Sequence, residues 1–168
     1  MAKYGYSLNE KPDVPLAKAL GVDMGISTKD SIEICDAIRK KPVARAKKML
    51  EGAMTQDAPI RYNRFSEGAS HKPGIGMGRY PVKAATAILK ILSSAEANAQ
   101  VKGLGKNLVI IHARAQHGTR SMKFGRHSRR ISKRTHIEIA LGEAKPKKEK
   151  KEAPKKSIEQ KVQTETKK

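Results

Sequence analysis

Leu108-Val-Ile-Ile-His-Ala-Arg-Ala-Gln-His-Gly118-Thr-Arg-Ser-Met-Lys-Phe-Gly-Arg-His-Ser-Arg-Arg-Ile-Ser-Lys-Arg134-Thr-His-Ile-Glu-Ile-Ala-Leu141 is the stretch on which the reading of this chain turns. It opens on four apolar residues. It closes on Ile137-Glu138-Ile139-Ala140-Leu141, which alternates like a half-buried strand. Between these ends lie Arg114, Arg120, Lys123, Arg126, Arg129, Arg130, Lys133 and Arg134, with no carboxylate before Glu138. Gly118 and Gly125 can turn the chain. The pattern predicts two antiparallel strands over 108–141 whose far ends run on into a long basic hairpin. Only the root carries enough apolar residues to join a core. A lone two-stranded arm is marginal in water, and like charges facing each other weaken it further. A polyanion lying on the arm would remove that repulsion.

The rest of the composition points the same way. The 168 residues suffice for one domain with a core. They hold 36 Lys and Arg against 16 Asp and Glu, a net charge of +20. Nucleic acid is the commonest partner of such a surface. No amphipathic helix pairs large apolar residues with a lysine-rich side, so a membrane surface fits poorly. The start shows no apolar signal-peptide core, and no run approaches transmembrane length. The single cysteine, Cys35, excludes an internal disulfide framework and suits a reducing cytosol. It reads as a small core hydrophobe.

Before the arm, residues 1–15 read as an irregular lead-in. Leu20, Val22, Met24 and Ile26 alternate with small or polar residues, the period of a strand. Ser27 sits where an N-cap would, with Asp30 three residues on. Ile32, Ile34, Cys35 and Ile38 then fall on one helical face. Arg39, Lys40 and Lys41 suit the C-terminal end of that helix, and Pro42 stops it. A second helix is predicted from Val43 to Glu51, with Gly52 as terminator. Residues 55–80 show no period and read as an ordered functional loop. Pro81 fits the first position of a third helix. Its stripe is Val82, Ala85, Ile88, Leu89, Leu92, Ala95 and Ala99, and Gly103 and Gly105 end it. Residues 143–168, with ten lysines, five glutamates and no aromatic, cannot offset their ordering entropy and read as disordered. The predicted fold is α+β: a small antiparallel three-stranded sheet packed against three helices. The globular RNA-binding domain spans 16–142 and includes the hairpin 108–141.

Motifs for chemistry are missing. Gly74-Ile75-Gly76-Met77-Gly78 follows no βαβ unit and has the spacing of neither phosphate motif. Its milder reading is a backbone contact to phosphate near the helix that starts at Pro81. His71, His112, His117, His127 and His136 have no zinc-finger spacing and read as donors or stacking rings on an RNA-facing surface. A DNA-architectural protein with a basic β-arm is the second reading, but such arms often carry a wedge, commonly proline, at the tip. None occurs between Pro81 and Pro146. An RNA-modifying enzyme, the third reading, would need a cofactor loop or catalytic cluster.

Several stretches in order resemble the universal large-subunit ribosomal protein 22 family in its archaeal and eukaryotic form, whose eukaryotic counterpart is large-subunit protein 17. They are Ser31-Ile-Glu-Ile-Cys-Asp-Ala-Ile-Arg39, Gly78-Arg-Tyr-Pro-Val-Lys-Ala-Ala85, Ile88-Leu-Lys-Ile-Leu92, Ala95-Glu-Ala-Asn-Ala99, Lys102-Gly-Leu104 and Lys133-Arg-Thr-His-Ile-Glu-Ile139. Together they run from about residue 16 to 143, and their order and spacing are more specific than any one of them. The resemblance implies a non-enzymatic protein without cofactor or metal. It implies binding to large-subunit ribosomal RNA, support of subunit assembly, and cytoplasmic residence in that subunit. It implies neighbouring ribosomal proteins near the exit of the peptide tunnel, and a hairpin tip that lines the tunnel and meets the nascent polypeptide in transit. Membranes and small-molecule substrates are not implied. The tip corresponds to Gly118, Thr119, Ser121, Met122, Lys123, Phe124 and Gly125. There this chain departs from the pattern: Met122-Lys123-Phe124 runs directly into Gly125-Arg126, where many members carry a Pro-Arg-Ala element, so a shorter tip is implied.

The candidate RNA contacts off the arm are Arg61, Arg64, His71, Lys72, Arg79 and Lys83. Those on it are His112, Arg114, Arg120, Lys123, Arg126, Arg129, Arg130, Lys133 and Arg134. Ten strand residues reach roughly 33 Å, beyond a small domain's own surface, and arginines bridge phosphates with two donors at once.

Overall fold

The computed structural model of the protein describes residues 5–8, 15–105, 107–126 and 130–143. In chain order it forms β1 (Ala17–Met24), α1 (Thr28–Ile38), α2 (Val43–Met54), β2 (Ile60–Arg61), β3 (Ser70–Lys72), β4 (Gly76–Arg79), α3 (Val82–Val101), β5 (Leu108–His117) and β6 (Thr135–Glu143). The architecture is α+β. β1, β6 and β5 form an antiparallel sheet in that order, so the last strand is the central one. α3 lies against β1 and β6, α1 lies against β5, and α2 packs on α3.

Strand β6 is paired on both sides and is buried almost throughout. Ile139 faces Ala19 on one neighbour and Ala113 on the other, and Ile137 faces Gly21 and Ala115. These rows point at the helices and make the core with Ile34, Ile38, Leu50, Ile88 and Leu92. The opposite face carries Glu138 and His136. It is covered in part by the segment 5–8, where Ser7 hydrogen-bonds Glu138. That segment therefore belongs to the folded unit, although the sequence reads it as a lead-in. The tail over 144–168 lies outside the described residues.

The first strand is present, but its inward phase is the reverse of the predicted one. Ala17 and Ala19 are buried and Val22 is 40% exposed. Alternation of apolar side chains misleads here because the contact needs small residues rather than large ones. A Cβ on Gly21 would stand 2.4 Å from Ile91 Cδ1, so the missing side chain is what lets α3 close on the sheet.

Helix α1 begins after Ser27 as expected, but no side-chain bond from Ser27 caps it. Instead Ser31 Oγ donates to the Ser27 carbonyl. Helix α2 does not stop at Gly52; it runs to Met54. Gly52 serves a close approach: its carbonyl accepts from Asp57 and Ala58 N–H, and a Cβ there would meet Ala58 Cβ at 3.0 Å. Helix α3 ends as predicted. Gly103, at φ +69°, donates to the Gln100 carbonyl, and Leu104 donates to that of Ala99, the paired bonds of a left-handed C-terminal cap.

The predicted loop 55–80 contains a second antiparallel sheet, in the order β2-β4-β3. Its strands span only two to four residues, too short to show a period. The glycines at 74 and 76 have positive φ and turn β3 into β4. Gly76-Met77-Gly78-Arg79 is strand rather than the loop the sequence predicts.

Gly21→Val should force Ile91 out of its rotamer and cost about 1–3 kcal/mol, the usual scale for overpacking. Urea denaturation checks this. Shortening the clashing partner in the same chain, with Ile91→Val, should recover part of the loss.

Candidate nucleic-acid interface

The arm leaves the sheet at its root and carries on as a loosely paired ribbon. The last ladder pair is His117 with Thr135. Beyond it Gly118 N–H donates to the Arg134 carbonyl at 2.9 Å, Ser132 N–H to that of Ser121 at 2.8 Å, and Lys123 N–H to that of Arg130 at 2.8 Å. Met122 bridges Ile131 across the ribbon. Two backbone ribbons therefore persist to within a few residues of Gly125, as the sequence predicted, with Arg120, Lys123, Arg126 and Arg130 exposed along them. His127, Ser128 and Arg129 lie outside the described residues.

The root is braced by polar contacts. Arg134 Nη1 donates to the Asp23 carbonyl at 3.0 Å, and Asp23 N–H donates to His136 Nδ1 at 3.1 Å. Asp23 itself has φ +49°, where β1 slips register against β6. Its Oδ1 lies 3.7 Å from His136 Nε2, too long for a hydrogen bond. On the outer face Glu138 accepts from Ser7 and Gln116 and stands 3.5 Å from His112 Nε2. His112, His136 and Arg134 thus spend donors or acceptors inside the fold. Sequence alone does not separate them from His71 and His117, which are exposed.

A buried carboxylate organises the other wall. Glu33 is 1% exposed on α1. Its Oε1 accepts from Arg64 N–H at 2.8 Å and Phe65 N–H at 3.0 Å, and its Oε2 accepts from Asn63 N–H at 3.0 Å. Three amide donors offset the cost of burying the charge. They also hold residues 63–65 against α1 with the Arg64 side chain exposed. Tyr62 is buried and donates to Asp30 Oδ1 at 2.9 Å. Burial, then the bond to Asp30, raises its phenol above the ordinary range.

The two walls enclose clefts along α1. One is lined by Lys29, Ile32, Phe65, Arg120, Ile131 and Lys133, among others. A second lies beside Arg39, Arg64 and Arg114. A third joins Lys29, Arg64, Arg79 and Lys133. The fold so brings Arg64, Arg79, Arg114, Arg120 and Lys133 together from separate elements. Arg61, His71, Lys72 and Lys83 line none of the three. The sequence reading missed Lys29 and Arg39. Arg39 Nη2 donates to the Ala113 carbonyl at 2.7 Å and straps α1 to β5. The signal for Lys29 was its place in the first turn of a helix whose face could not be aimed without the tertiary contacts.

Among the described residues the aromatics are matched with cations. Lys29 Nζ lies 5.6 Å from the Phe65 centroid, Lys72 Nζ 5.0 Å from Tyr80, and the Arg79 guanidinium 5.7 Å from Tyr62. Phe124 is the exception: at the tip it is fully exposed, beside an exposed Met122. Among the described residues no cluster of His, Cys, Asp or Glu could hold a metal. Cys35 is buried, as the sequence predicted. Burial pushes its thiol up to about 12.

Glu33→Gln should leave two of the three bonds neutral and weaker, abolish the third by setting an amide donor against an N–H donor, and cost about 1.5–3 kcal/mol. The sharper readout is hydrogen exchange, which should accelerate at Asn63, Arg64 and Phe65 ahead of the core. Unchanged protection there would mean the loop is held by something else. Cys35 gives a pH dependence. A thiol whose pKa rises on folding contributes stability that is complete below the ordinary value of 9.0 and is lost as pH climbs toward 12. The advantage of the wild type over Cys35→Ala, read from urea midpoints, should therefore shrink across that window.

Residues 19–142 match the family model described as ribosomal protein L22p/L17e. The relatives include the large ribosomal subunit protein uL22 of Archaeoglobus fulgidus, 40% identical over 148 residues, covering 83% of this chain and 96% of that protein. Its counterpart in Methanosphaera stadtmanae is 40% identical over 151 residues, covering 84% and 98%. That of Staphylothermus marinus is 38% identical over 155 residues, covering 85% and 99%. A match of this extent, over a fold with the same strands, helices and basic hairpin that the resemblance implied, places the chain in the ribosomal protein L22p/L17e family.

Proposed function

We propose that the chain is a structural protein of the large ribosomal subunit that clamps ribosomal RNA between its arm and helix α1. One observation carries this reading. A ribbon bearing exposed Arg120, Lys123, Arg126 and Arg130, with no carboxylate opposite, stands out from a body whose own basic residues line the adjoining clefts. Such a ribbon is weakened by like-charge repulsion in water and is compatible with a partner that supplies phosphates on both sides. RNA does so, and each neutralised phosphate releases counterions that favour the complex.

Family membership supports the location: the relatives are named for the large subunit, and the protein acts there in the cytoplasm as a scaffold, not an enzyme. The packing supports a division of labour. The globular part and the arm root hold RNA and neighbouring ribosomal proteins and support assembly. The tip from Gly118 to Gly125 reaches past the body and lines the tunnel through which the nascent polypeptide leaves. Exposed Met122 and Phe124 give that wall an apolar patch among cations.

Full-length protein with a photo-crosslinking residue in place of Phe124 is the test, expressed in cells and sedimented in moderate salt. It should co-migrate with large subunits and, in translating ribosomes, crosslink to the nascent chain. Absence from the large-subunit fraction would defeat the whole reading. Co-migration with crosslinks to RNA alone would defeat the tunnel assignment and leave the scaffold.

A further inference from the structure

The cleft between α1 and the arm differs from its neighbours in one respect. Its walls include three apolar side chains from three separate elements: Ile32 of α1, Phe65 of the loop anchored by Glu33, and Ile131 of the arm. Ile131 is 54% exposed, one of three large apolar side chains, with Met122 and Phe124, on an otherwise polar and charged ribbon. Its backbone bridges that of Met122 across the ribbon, and it lines the cleft opposite Ile32 of α1. The rim is cationic, with Lys29, Arg120 and Lys133. The cleft measures about 490 Å³, within the range of sites that take small organic groups.

A phosphate backbone alone has no use for an apolar slot. A solvated charge run has none either. A slot with hydrocarbon walls and a cationic rim matches a nucleotide that has left its stack: a flat apolar face with a phosphate at the edge. Single-stranded elements are recognised in this way, by splayed bases seated against apolar and aromatic side chains. We propose that the slot between α1 and the arm seats one unstacked nucleobase of the bound RNA, with the flanking phosphates on Lys29, Arg120 and Lys133. The inference rests on the RNA-binding reading above and deepens it: the arm would be locked to the body by the base it holds, not only by charge.

The wall is built before the ligand arrives. Three amides on Glu33 fix the Phe65 backbone, and the ring packs against the core. Preorganisation of that kind lowers the ordering cost of binding. The third wall, Ile131, stands on the arm, so an occupied slot would also order the ribbon.

The test uses the full-length chain and two short probes, an oligoadenylate and an abasic strand of equal length and charge. The oligoadenylate should bind about tenfold tighter, the scale of one stacked base. The methyl resonances of Ile32 and Ile131 should move with adenosine monophosphate and stay still with ribose phosphate. Phe65→Ala should abolish the tenfold preference. Ile131→Ser, on the exposed ribbon where folding is not at stake, should reduce the preference in the same direction. Equal affinities for the two strands with silent methyls would overturn the slot while leaving salt-dependent RNA binding in place; that result is what a seat for a neighbouring protein's side chain would give. If the abasic strand also fails to bind, the RNA reading falls and the slot with it.

Discussion

Everything in this molecule hangs on the central position of β6. A strand with like charges running up to it is a poor candidate for stable pairing, since an isolated ribbon of two strands barely holds together in water. Here the strand is tied on both edges, to β1 and to β5, and its inward side chains are buried under α1 and α3. The root of the arm therefore belongs to the core. Repulsion along the outer ribbon cannot unzip it without breaking two ladders at once. The late arrival of β6 in the chain also means that the sheet closes only after the arm has been made.

The same logic governs how the protein buries charge. Three carboxylates are kept away from the exposed ribbon and used in the body of the fold. Glu33 fixes a loop through three amides, Glu138 ties the segment at Ser7 to the outer face of the sheet, and Asp30 takes the Tyr62 hydroxyl. Each is satisfied by hydrogen-bond donors from backbone or side chain. What this leaves on the arm is a run of cations with no carboxylate beside them, while in the clefts Arg39 pairs with Asp36 and Asp30 and Glu67 join the lining. Lys47 and Glu96 pair between α2 and α3, away from the clefts named above. The interface is thus basic by subtraction as well as by addition.

Small residues do the complementary work of bringing elements close. Gly21 admits Ile91, and Gly52 admits Ala58. Alanines at 84, 85, 95 and 99 are all buried on α3. A thin layer of this kind lets the helices sit tightly on a sheet of only three strands, and so lets a small core support a long projection. It also explains why the core can be crowded with isoleucines elsewhere: the large side chains fill the space that the small ones leave.

Much of the fold was legible in the primary structure. The apolar brackets around an unbroken basic run announced the hairpin, and the stripe from Val82 to Ala99 announced α3, because both are long patterns set by local geometry. Helix ends at Ser27 and Gly103 were likewise written locally. The order of the residue stretches from Ser31 to Ile139 carried the family. Other features exist only in three dimensions. The inward phase of β1 is decided by how near α3 comes, which no alternation of apolar residues encodes. The sheet hidden in 55–80 consists of strands too short to have a period, and the segment between β2 and β3 is held by Glu33 from a different element. Which histidines are internal follows from where Glu138 and Asp23 stand. The slot lined by Ile32, Phe65 and Ile131 was invisible for the same reason: those residues are far apart along the chain, and only the packing of α1 against the arm puts them side by side.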